Sequence, residues 1–251
     1  MKVLGIDVGG SGIKGALIDT ETGKFASDRL RINSPEGFRP GDVIATIGQI
    51  VTKFKYEGPL GLGFPAIVMD GIVMTPPTSL AFPGWENIHL AEAVAEQTGC
   101  PTVALNDADA AGYAEMRFGN GRNQQGVVMV FTLGTGIGSA LFLNGRLVPN
   151  LELGRLYLRQ KKHGAEHQAA DRVRDEQDLS WPEWGKRLNA YFSHIELLFS
   201  PRLIIVGGGI SKKHKKFLKY IHVRAEVLPA RLRNRAGIVG AAMAALEKDE
   251  A

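Results

Sequence analysis

Short apolar segments alternate with glycine-rich or polar segments along the whole chain. Continuous apolar runs of roughly four to eight residues are typical of buried strands, and apolar residues spaced three or four apart are typical of helices. The predicted strands are VLGID, IKGALID, ASDRLRI, LGLGFP, TVALN, GVVMVFTL, GIGSALFLNG, RLIIV and a segment near 223–228. The predicted helices lie near 41–54, 88–98, 107–117, 165–175 and 182–199, in the lysine-rich segment after GGGIS, and in AGIVGAAMAALE. This alternation of strands and helices predicts an α/β protein.

Two glycine-rich turns share one pattern, G-[S/T]-G-I-x-x-A-L. One copy is Gly10–Leu17 and the other is Gly134–Leu141, 124 residues further along the chain. Each copy lies between apolar runs, so each predicts a β-hairpin with a glycine turn. Chance similarity between two glycine turns is one interpretation. The other is that each copy begins an α/β half, with the two glycine loops on opposite sides of one cleft.

The first copy also matches the G-x-G-x-x-G pattern of dinucleotide-binding proteins, at Gly10–Gly15. In that class the glycines join a strand to a helix, and the pyrophosphate binds at the helix N-terminus. Here only about eight residues follow before a Thr-Gly turn, which is too few for the crossover helix. The match is therefore interpreted as a hairpin turn and not as a dinucleotide site.

Composition and charge narrow the class of protein. The chain has 251 residues, of which 44% are hydrophobic and 22% charged, enough for one large or two modest domains. The single cysteine, Cys100, excludes an internal disulfide and a cysteine-built zinc site. The N-terminus does not resemble a leader, and no apolar run reaches the roughly 18 residues of a membrane span. A cytoplasmic enzyme without a membrane partner is the expectation.

The net charge of +4 is unevenly distributed. Residues 202–235 contain ten Lys and Arg residues and one acidic residue, Glu226, so this segment carries +9 and the rest of the chain −5. A solvated basic face is one interpretation of the segment. A surface that attracts a polyanion is the other.

Three glycine-rich segments are candidates for phosphate binding, at 9–12, 134–138 and 207–209. Glycine has no side chain to shield its backbone N–H group, so such segments can line an anion-binding concavity. Each segment alone could also be a tight structural turn. The echo between two of them favours phosphate binding. Asp7 enters the first loop and could hold the water shell of a Mg²⁺ ion, or could simply be a turn residue.

Asn106 and Asp107 follow an apolar strand and begin a predicted helix, where reactive groups commonly lie in open α/β sheets. Phosphoryl transfer to a hydroxyl requires alignment, charge neutralisation and a base, roles that these two residues would suit. A helix N-cap is the alternative for Asp107, and a first-turn carboxylate is the more ordinary role for Asp109. Glu152 and Glu166 are candidates for hydrogen bonds to sugar hydroxyls, with surface or capping roles as alternatives.

Seven segments together resemble the ROK family of sugar kinases, and more closely its polyphosphate-glucokinase branch. They are GIDVGGSGIKGA (5–16), GFPAIV (63–68), LNDADAAG (105–112), TLGTGIGSA (132–140), PNLELG (149–154), SPRLIIVGGGISKK (200–213) and RAGIVGAAMAA (235–245). The resemblance implies a two-lobed, actin-like and ribonuclease-H-like α/β fold with a central cleft. It divides the chain into an N-terminal lobe at 1–105, joined by the C-terminal helix at about 236–251, and a C-terminal lobe at 106–235.

The resemblance also implies roles for individual residues. Asp107 corresponds to the catalytic base. The implied sugar-binding residues are Gly63, Pro65, Asn106, Asp107, Glu152, Arg155 and Glu166. The implied donor-binding residues are Asp7, Gly9, Gly10, Ser11, Gly12, Lys14, Thr132, Gly134, Thr135, Gly136, Gly207, Gly208 and Gly209. Asp7 would hold Mg²⁺ through water.

The activity that the resemblance implies is Mg²⁺-dependent phosphorylation of the 6-hydroxyl of glucose or a related hexose. The donor would be inorganic polyphosphate, with ATP as a second donor, and the protein would be a homodimer with no nucleic-acid partner. A long polyphosphate would suit the basic segment 202–235. An ATP-only glucokinase, a mannokinase and a polyanion-binding pseudo-kinase remain alternatives. A sugar-responsive repressor is disfavoured because the first phosphate loop begins at Gly5, with no DNA-binding segment before it.

The sequence departs from the family pattern in three places. The cysteine-rich zinc motif of the wider family is absent, as it is in the polyphosphate branch, and Pro65-Ala66 stands where Pro-Gly is common. Arg155 stands where the family usually has a histidine that touches the sugar. Arginine is longer, permanently charged and unable to accept a hydrogen bond. The residue could tune the acceptor site, add a phosphate contact or mark weakened activity.

Overall fold

The structure is a computed structural model that describes residues 1–77, 82–158 and 162–247. Its strands are β1 (Lys2–Gly9), β2 (Gly12–Asp19), β3 (Lys24–Phe25), β4 (Leu30–Ile32), β5 (Leu60–Phe64), β6 (Val68–Met69), β7 (Ile72–Val73), β8 (Ile88–His89), β9 (Thr102–Asn106), β10 (Val127–Leu133), β11 (Ile137–Leu143), β12 (Arg146–Val148), β13 (Leu203–Gly207) and β14 (Glu226–Pro229). Its α-helices are α1 (Pro40–Phe54), α2 (Leu90–Thr98), α3 (Asp107–Phe118), α4 (Glu166–Ala169), α5 (Asp171–Glu176), α6 (Trp181–Phe199) and α7 (Ala236–Glu247). Short 3-10 helices cover Glu36–Phe38, Leu153–Arg155, Gly209–Lys216, Leu218–Tyr220 and Arg233–Arg235. The α/β class expected from the sequence is confirmed.

The chain divides into two compact units. The first comprises the described residues of Met1–Ala114 and Arg235–Ala251, and the second those of Glu115–Asn234. The division lies inside α3, after Ala114, whereas the boundary implied by the resemblance follows residue 105, one residue before the end of β9. The lobe boundaries inferred from the resemblance stay a prediction, and residues 248–251 of the expected C-terminal helix lie outside the described residues.

The main sheet of the first unit has the strand order β3-β2-β1-β5-β9, and β4 also pairs with β2. β1 and β2 form an antiparallel hairpin, while β1, β5 and β9 run parallel to one another. The register places Asp7 between Lys14 on β2 and Gly63 on β5. Because parallel strands end at the same sheet edge, the carboxyl ends of β1, β5 and β9 lie together.

Helix α7 packs closely on this sheet because glycines face it. A Cβ on Gly61 would lie 1.8 Å from the carbonyl oxygen of Ala241, and one on Gly5 would lie 2.0 Å from that of Ile238. On the helix side, a Cβ on Gly240 would lie 1.6 Å from the carbonyl oxygen of Ala110 in α3. Any larger residue at these positions would push the backbones apart, so the glycines set the distance between helix and sheet.

The main sheet of the second unit has the order β12-β11-β10-β13-β14 and repeats the pattern of the first. A hairpin of β10 and β11 is followed by parallel strands β13 and β14. Thr132 pairs with Gly138 in the hairpin and with Gly207 on the parallel strand. The tip of this hairpin has three residues, 134–136, where the first hairpin has two. The echo in the sequence therefore accompanies a repeated topology, as the second interpretation expected.

Three elements differ from their sequence-based predictions. The lysine-rich segment Gly209–Lys216 is a 3-10 helix with a break at Lys213 and not an α-helix. The helix expected near 165–175 is split at Ala170, whose carbonyl, like that of Ala169, accepts a hydrogen bond from Trp184 Nε1 at 3.3 Å. Of ASDRLRI, only the three residues of β4 form a strand.

Each unit has its own hydrophobic core. In the first, Phe38, Phe64 and Trp85 form a buried aromatic cluster beneath the sheet. In the second, α6 packs Trp184 and Tyr191 against the sheet. Among the described residues, no helix combines the length and apolar character that crossing a membrane requires.

Candidate active site

The first glycine loop is the turn of the β1–β2 hairpin. Gly9 pairs with Gly12, so Gly10 and Ser11 form an exposed two-residue tip. Behind the tip, Lys14 Nζ lies 3.2 Å from Asp7 Oδ2, and each side chain is about one-quarter exposed (28% and 24%). The loop thus combines exposed backbone with one ammonium and one carboxylate group, a combination that suits phosphates and a bound cation.

Sequence reasoning missed Arg31, which lies beside the same loop. It pairs with Lys14 across β2 and β4, and its Nη2 donates a hydrogen bond to the Ser11 carbonyl at 2.8 Å. A Cβ on Gly12 would lie 2.6 Å from Arg31 Nε, so the glycine leaves room for the guanidinium. The cation was not foreseen because the sequence does not show that β4 pairs with β2 at this register.

Asp7 is the candidate ligand for a divalent metal. Its Oδ1 lies near the start of α7, 3.1 Å from where a Cβ on Gly237 would be. Mg²⁺ usually keeps several waters and is held by one or two carboxylates and the substrate phosphates. A single, partly exposed carboxylate beside a phosphate loop fits an ion held in this way. In the ranges 1–77, 82–158 and 162–247, there is no group of three or more His, Cys, Asp or Glu side chains that could hold a metal ion without other ligands.

Asn106 ends β9 and caps helix α3. Its Oδ1 accepts hydrogen bonds from the N–H groups of Ala108 at 2.8 Å and Asp109 at 3.2 Å, and its Nδ2 donates to the Ala66 carbonyl at 3.0 Å. Asp107 is the first residue of the helix and is partly exposed. The contacts of Asn106 thus make it the cap of α3 and join it to the segment after β5.

Gly63 brings Asp107 close to the first glycine loop. It pairs with Asp7 on one side and with Leu105 on the other. A Cβ at this glycine would lie 3.7 Å from the Asp107 Cα. Pro65 follows β5 and leads to Ala66, which Asn106 holds. The first unit therefore brings together the predicted residues Asp7, Lys14, Gly63, Pro65, Asn106 and Asp107 at one sheet edge.

The two glycine loops of the second unit lie side by side. Thr132 and Gly207 are paired, and Gly208, with φ 83°, approaches the Leu133 carbonyl so closely that a Cβ would lie 2.1 Å from it. In contrast, a Cβ built on Gly134 would have open space around it, with no contact within 4 Å in the described part of the chain. The same holds for Gly209. Packing does not require glycine at these two positions, so the space beside them is open to a ligand. The backbone of Gly134 is itself paired, because its N–H donates to the Gly136 carbonyl at 3.0 Å and its carbonyl accepts from the Arg172 N–H at 3.1 Å.

Glu166 lies against the second glycine loop. A Cβ on Gly136 would lie 2.6 Å from its Oε2. Glu152 forms an ion pair with Arg155, whose Nε is 3.5 Å from Oε2. Burial raises the pKa of Glu152, Arg155 opposes that shift and Glu166 adds to it. The second unit therefore places the predicted residues Glu152, Arg155 and Glu166 in one charged cluster.

Exposed lysines follow the third glycine loop. They are Lys212, Lys213, Lys215, Lys216 and Lys219. The Nζ atoms of Lys213 and Lys216 lie 5.9 and 5.4 Å from the centre of the Trp181 ring, within cation–π range. The basic segment of the sequence is thus a lysine surface that begins at a candidate phosphate loop.

The comparisons with known proteins identify the class. The model of the ROK family matches residues 3–150. The polyphosphate glucokinase of Mycobacterium tuberculosis is 43% identical over 243 residues, covering 96% of this chain and 90% of that protein. That of Mycobacterium leprae is 39% identical over 241 residues, covering 96% and 73%. The chain belongs to the ROK family, and the resemblance seen in the sequence is confirmed.

Solved structures show which members of the family this chain resembles in fold. The inorganic polyphosphate/ATP-glucomannokinase from Arthrobacter sp. strain KM has a TM-score of 0.91 and 41% identity, covering 98% of this chain and 99% of that one. A ROK family glucokinase from Streptomyces griseus has a TM-score of 0.82 at 23% identity, covering 98% and 100%. The actin-like fold class of ROK sugar kinases is as predicted.

Proposed function

We propose that this protein is a Mg²⁺-dependent kinase that phosphorylates the 6-hydroxyl of glucose, with inorganic polyphosphate as donor and ATP as a second donor. One observation carries the proposal: Asp107 begins a capped helix at the sheet edge where Asp7 and Lys14 flank a glycine loop. The likeness to mycobacterial polyphosphate glucokinases supports the choice of donor. The protein is proposed to act as a cytoplasmic homodimer, to be tested by light scattering and by cell fractionation.

Asp107 acts as the general base. Its carboxylate takes the proton of the 6-hydroxyl as that oxygen forms a bond to the terminal phosphorus, and the bridging P–O bond breaks. The products are hexose 6-phosphate and a polyphosphate one unit shorter, or ADP when ATP is the donor. The partial exposure of Asp107 leaves it accessible to a hydroxyl.

The donor phosphates are held by the glycine loops. Backbone N–H groups in the loops at 9–12, 134–136 and 207–209, other than that of Gly134, donate to phosphate oxygens, and Lys14 neutralises charge. Asp7 would hold Mg²⁺ through water, and the bound ion would stabilise negative charge on the transferring group. The lysine surface after Gly209 attracts the remainder of a long polyphosphate.

The sugar is held by Glu152, Glu166, Asn106 and the loop at Gly63 and Pro65. Arg155 belongs to this part of the site because its guanidinium pairs with Glu152. That contact favours the interpretation in which Arg155 tunes the acceptor site. In this proposal the acceptor site binds glucose. Mannose is the hexose whose phosphorylation should be compared with that of glucose.

The test is hexose-6-phosphate formation by wild type and D107N with long-chain polyphosphate or ATP as donor. D107N should lose turnover by at least about a hundredfold, because the general base contributes 10²–10⁴-fold in rate. D70N is the matched control, since Asp70 is an exposed turn residue of the same unit. Turnover by D107N at the wild-type rate would remove Asp107 from the base role. If wild type turns over with ATP but not with polyphosphate, the protein is an ATP-only kinase. If it binds polyphosphate but forms no hexose 6-phosphate with either donor, it is a pseudo-kinase.

A further inference from the structure

Ser139 is a buried hydroxyl of β11 that the proposed mechanism does not use. Its residue is 2% exposed. The Oγ donates a hydrogen bond to the Leu151 carbonyl at 2.5 Å and accepts one from the Leu153 N–H at 3.0 Å. Leu151 and Leu153 are the two neighbours of Glu152 in the chain. One side chain therefore ties the backbone on both sides of this glutamate to the sheet.

Close backbone contacts hold the residues that follow Glu152. A Cβ on Gly154 would lie 2.3 Å from the Ile137 carbonyl oxygen, so the turn lies directly on β11. A Cβ on Gly164 would lie 3.0 Å from the Arg155 carbonyl oxygen. The 3-10 helix Leu153–Arg155 is thus confined on two sides, while Ser139 is the hydrogen-bonding group that holds its entry.

The hairpin fold itself does not require a serine at this position. In the echo of the two glycine turns, Ser139 corresponds to Gly15 in the first copy. A Cβ on Gly15 would lie 2.8 Å from Ile50, so that position faces packing rather than a loop. The hydroxyl is therefore specific to the second hairpin, where a glutamate-bearing loop crosses β11.

We propose that Ser139 is a positioning residue for Glu152 and that it sets the affinity for the hexose without touching it. A carboxylate binds a sugar hydroxyl well only when its direction is fixed, because each hydrogen bond weakens steeply with misalignment. Ser139 fixes the backbone of Glu152, and Arg155 contacts its carboxylate at 3.5 Å. The inference rests on the proposed function, in which Glu152 binds the sugar.

The experiment compares S139A, S139C, E152Q and the double variant S139A/E152Q. KM for glucose, KM for polyphosphate and kcat are measured, and glucose binding is measured separately by calorimetry. S139A should raise KM and Kd for glucose about tenfold, because two partly buried backbone groups beside Glu152 lose their partner. S139C should fall between S139A and wild type, since a thiol is a weaker hydrogen-bonding group. Donor KM and kcat should stay within about twofold of wild type.

The double variant separates positioning from general damage. If Ser139 acts through Glu152, S139A/E152Q should bind glucose no more weakly than E152Q alone. T46V is the matched control, because Thr46 is a buried hydroxyl that donates to the Asp42 carbonyl within α1 of the first unit. T46V should leave the glucose KM unchanged.

Three results from the Ser139 variants would overturn the inference. They are an unchanged glucose affinity in S139A, an equal rise of donor and glucose KM, and additive losses in the double variant. An unchanged affinity in E152Q would also overturn it, by removing Glu152 from the sugar site. Failure of the proposed function is recognised separately, because wild type would then form no hexose 6-phosphate while calorimetry still reports glucose binding.

Discussion

Replacing Asn106 by alanine should weaken the fold and the candidate base together. The change removes the acceptor for the N–H groups of Ala108 and Asp109 and the donor to the Ala66 carbonyl. Loss of an N-cap side chain costs about 1 kcal/mol, and leaving a buried carbonyl unpaired costs about 1–2 kcal/mol more. N106A should therefore lower the free energy of unfolding by about 2–3 kcal/mol, which corresponds to a fall in Tm of about 4–12 °C.

N106S separates the two contributions. Serine caps helices about as well as asparagine but is too short to reach Ala66, so N106S should recover about 1 kcal/mol relative to N106A. Urea unfolding followed by circular dichroism gives both values, and kcat is measured on the same samples. Because the cap sets the position of Asp107 at the start of α3, N106A should lower kcat more than N106S does. Equal stability and equal kcat for the two variants would refute a capping role.

Three further changes test other parts of the structure. R155M should raise the pKa of Glu152 above its already raised value, so the acid limb of kcat/KM for glucose should move to higher pH in profiles between about pH 5 and 8; an unmoved limb would contradict this. G61A should cost about 3 kcal/mol or more in urea unfolding, whereas G41A, with open space around it, should be neutral or stabilising by up to about 1 kcal/mol. S180A removes the capping box of α6 and should cost about 1 kcal/mol in the same assay.

Local sequence patterns predicted much of the fold. Glycine turns between apolar runs identified the two hairpins, because residues close in the chain determine a hairpin. The Asp70-Gly71 turn between β6 and β7 is equally local, and both of its residues have positive φ. The end of β9 at Asn106 and the start of α3 at Asp107 were also predicted, because a strand followed by polar, helix-capping residues is a local signal.

Contacts between distant segments were not predictable in this way. Arg31 reaches the first glycine loop only because β4 pairs with β2, a register that two short polar strands do not reveal. Ser139 looks like any small strand residue until the loop at 151–153 is placed over it. The split of the helix near Ala170 depends on a Trp184 side chain that lies 14 residues further along the chain.

The repeated topology explains why one fold can hold both a donor and an acceptor. Asp7 pairs with Lys14 beside the first turn, whereas Thr132 pairs with Gly138 beside the second. Among these paired residues a carboxylate and an ammonium group stand beside the first loop, and the proposed metal belongs to that loop. At the second loop the small residues leave space, and Glu166 occupies it against Gly136. The repeated topology thus supplies two glycine-rich turns of different length, and the side chains beside them give them different chemistry.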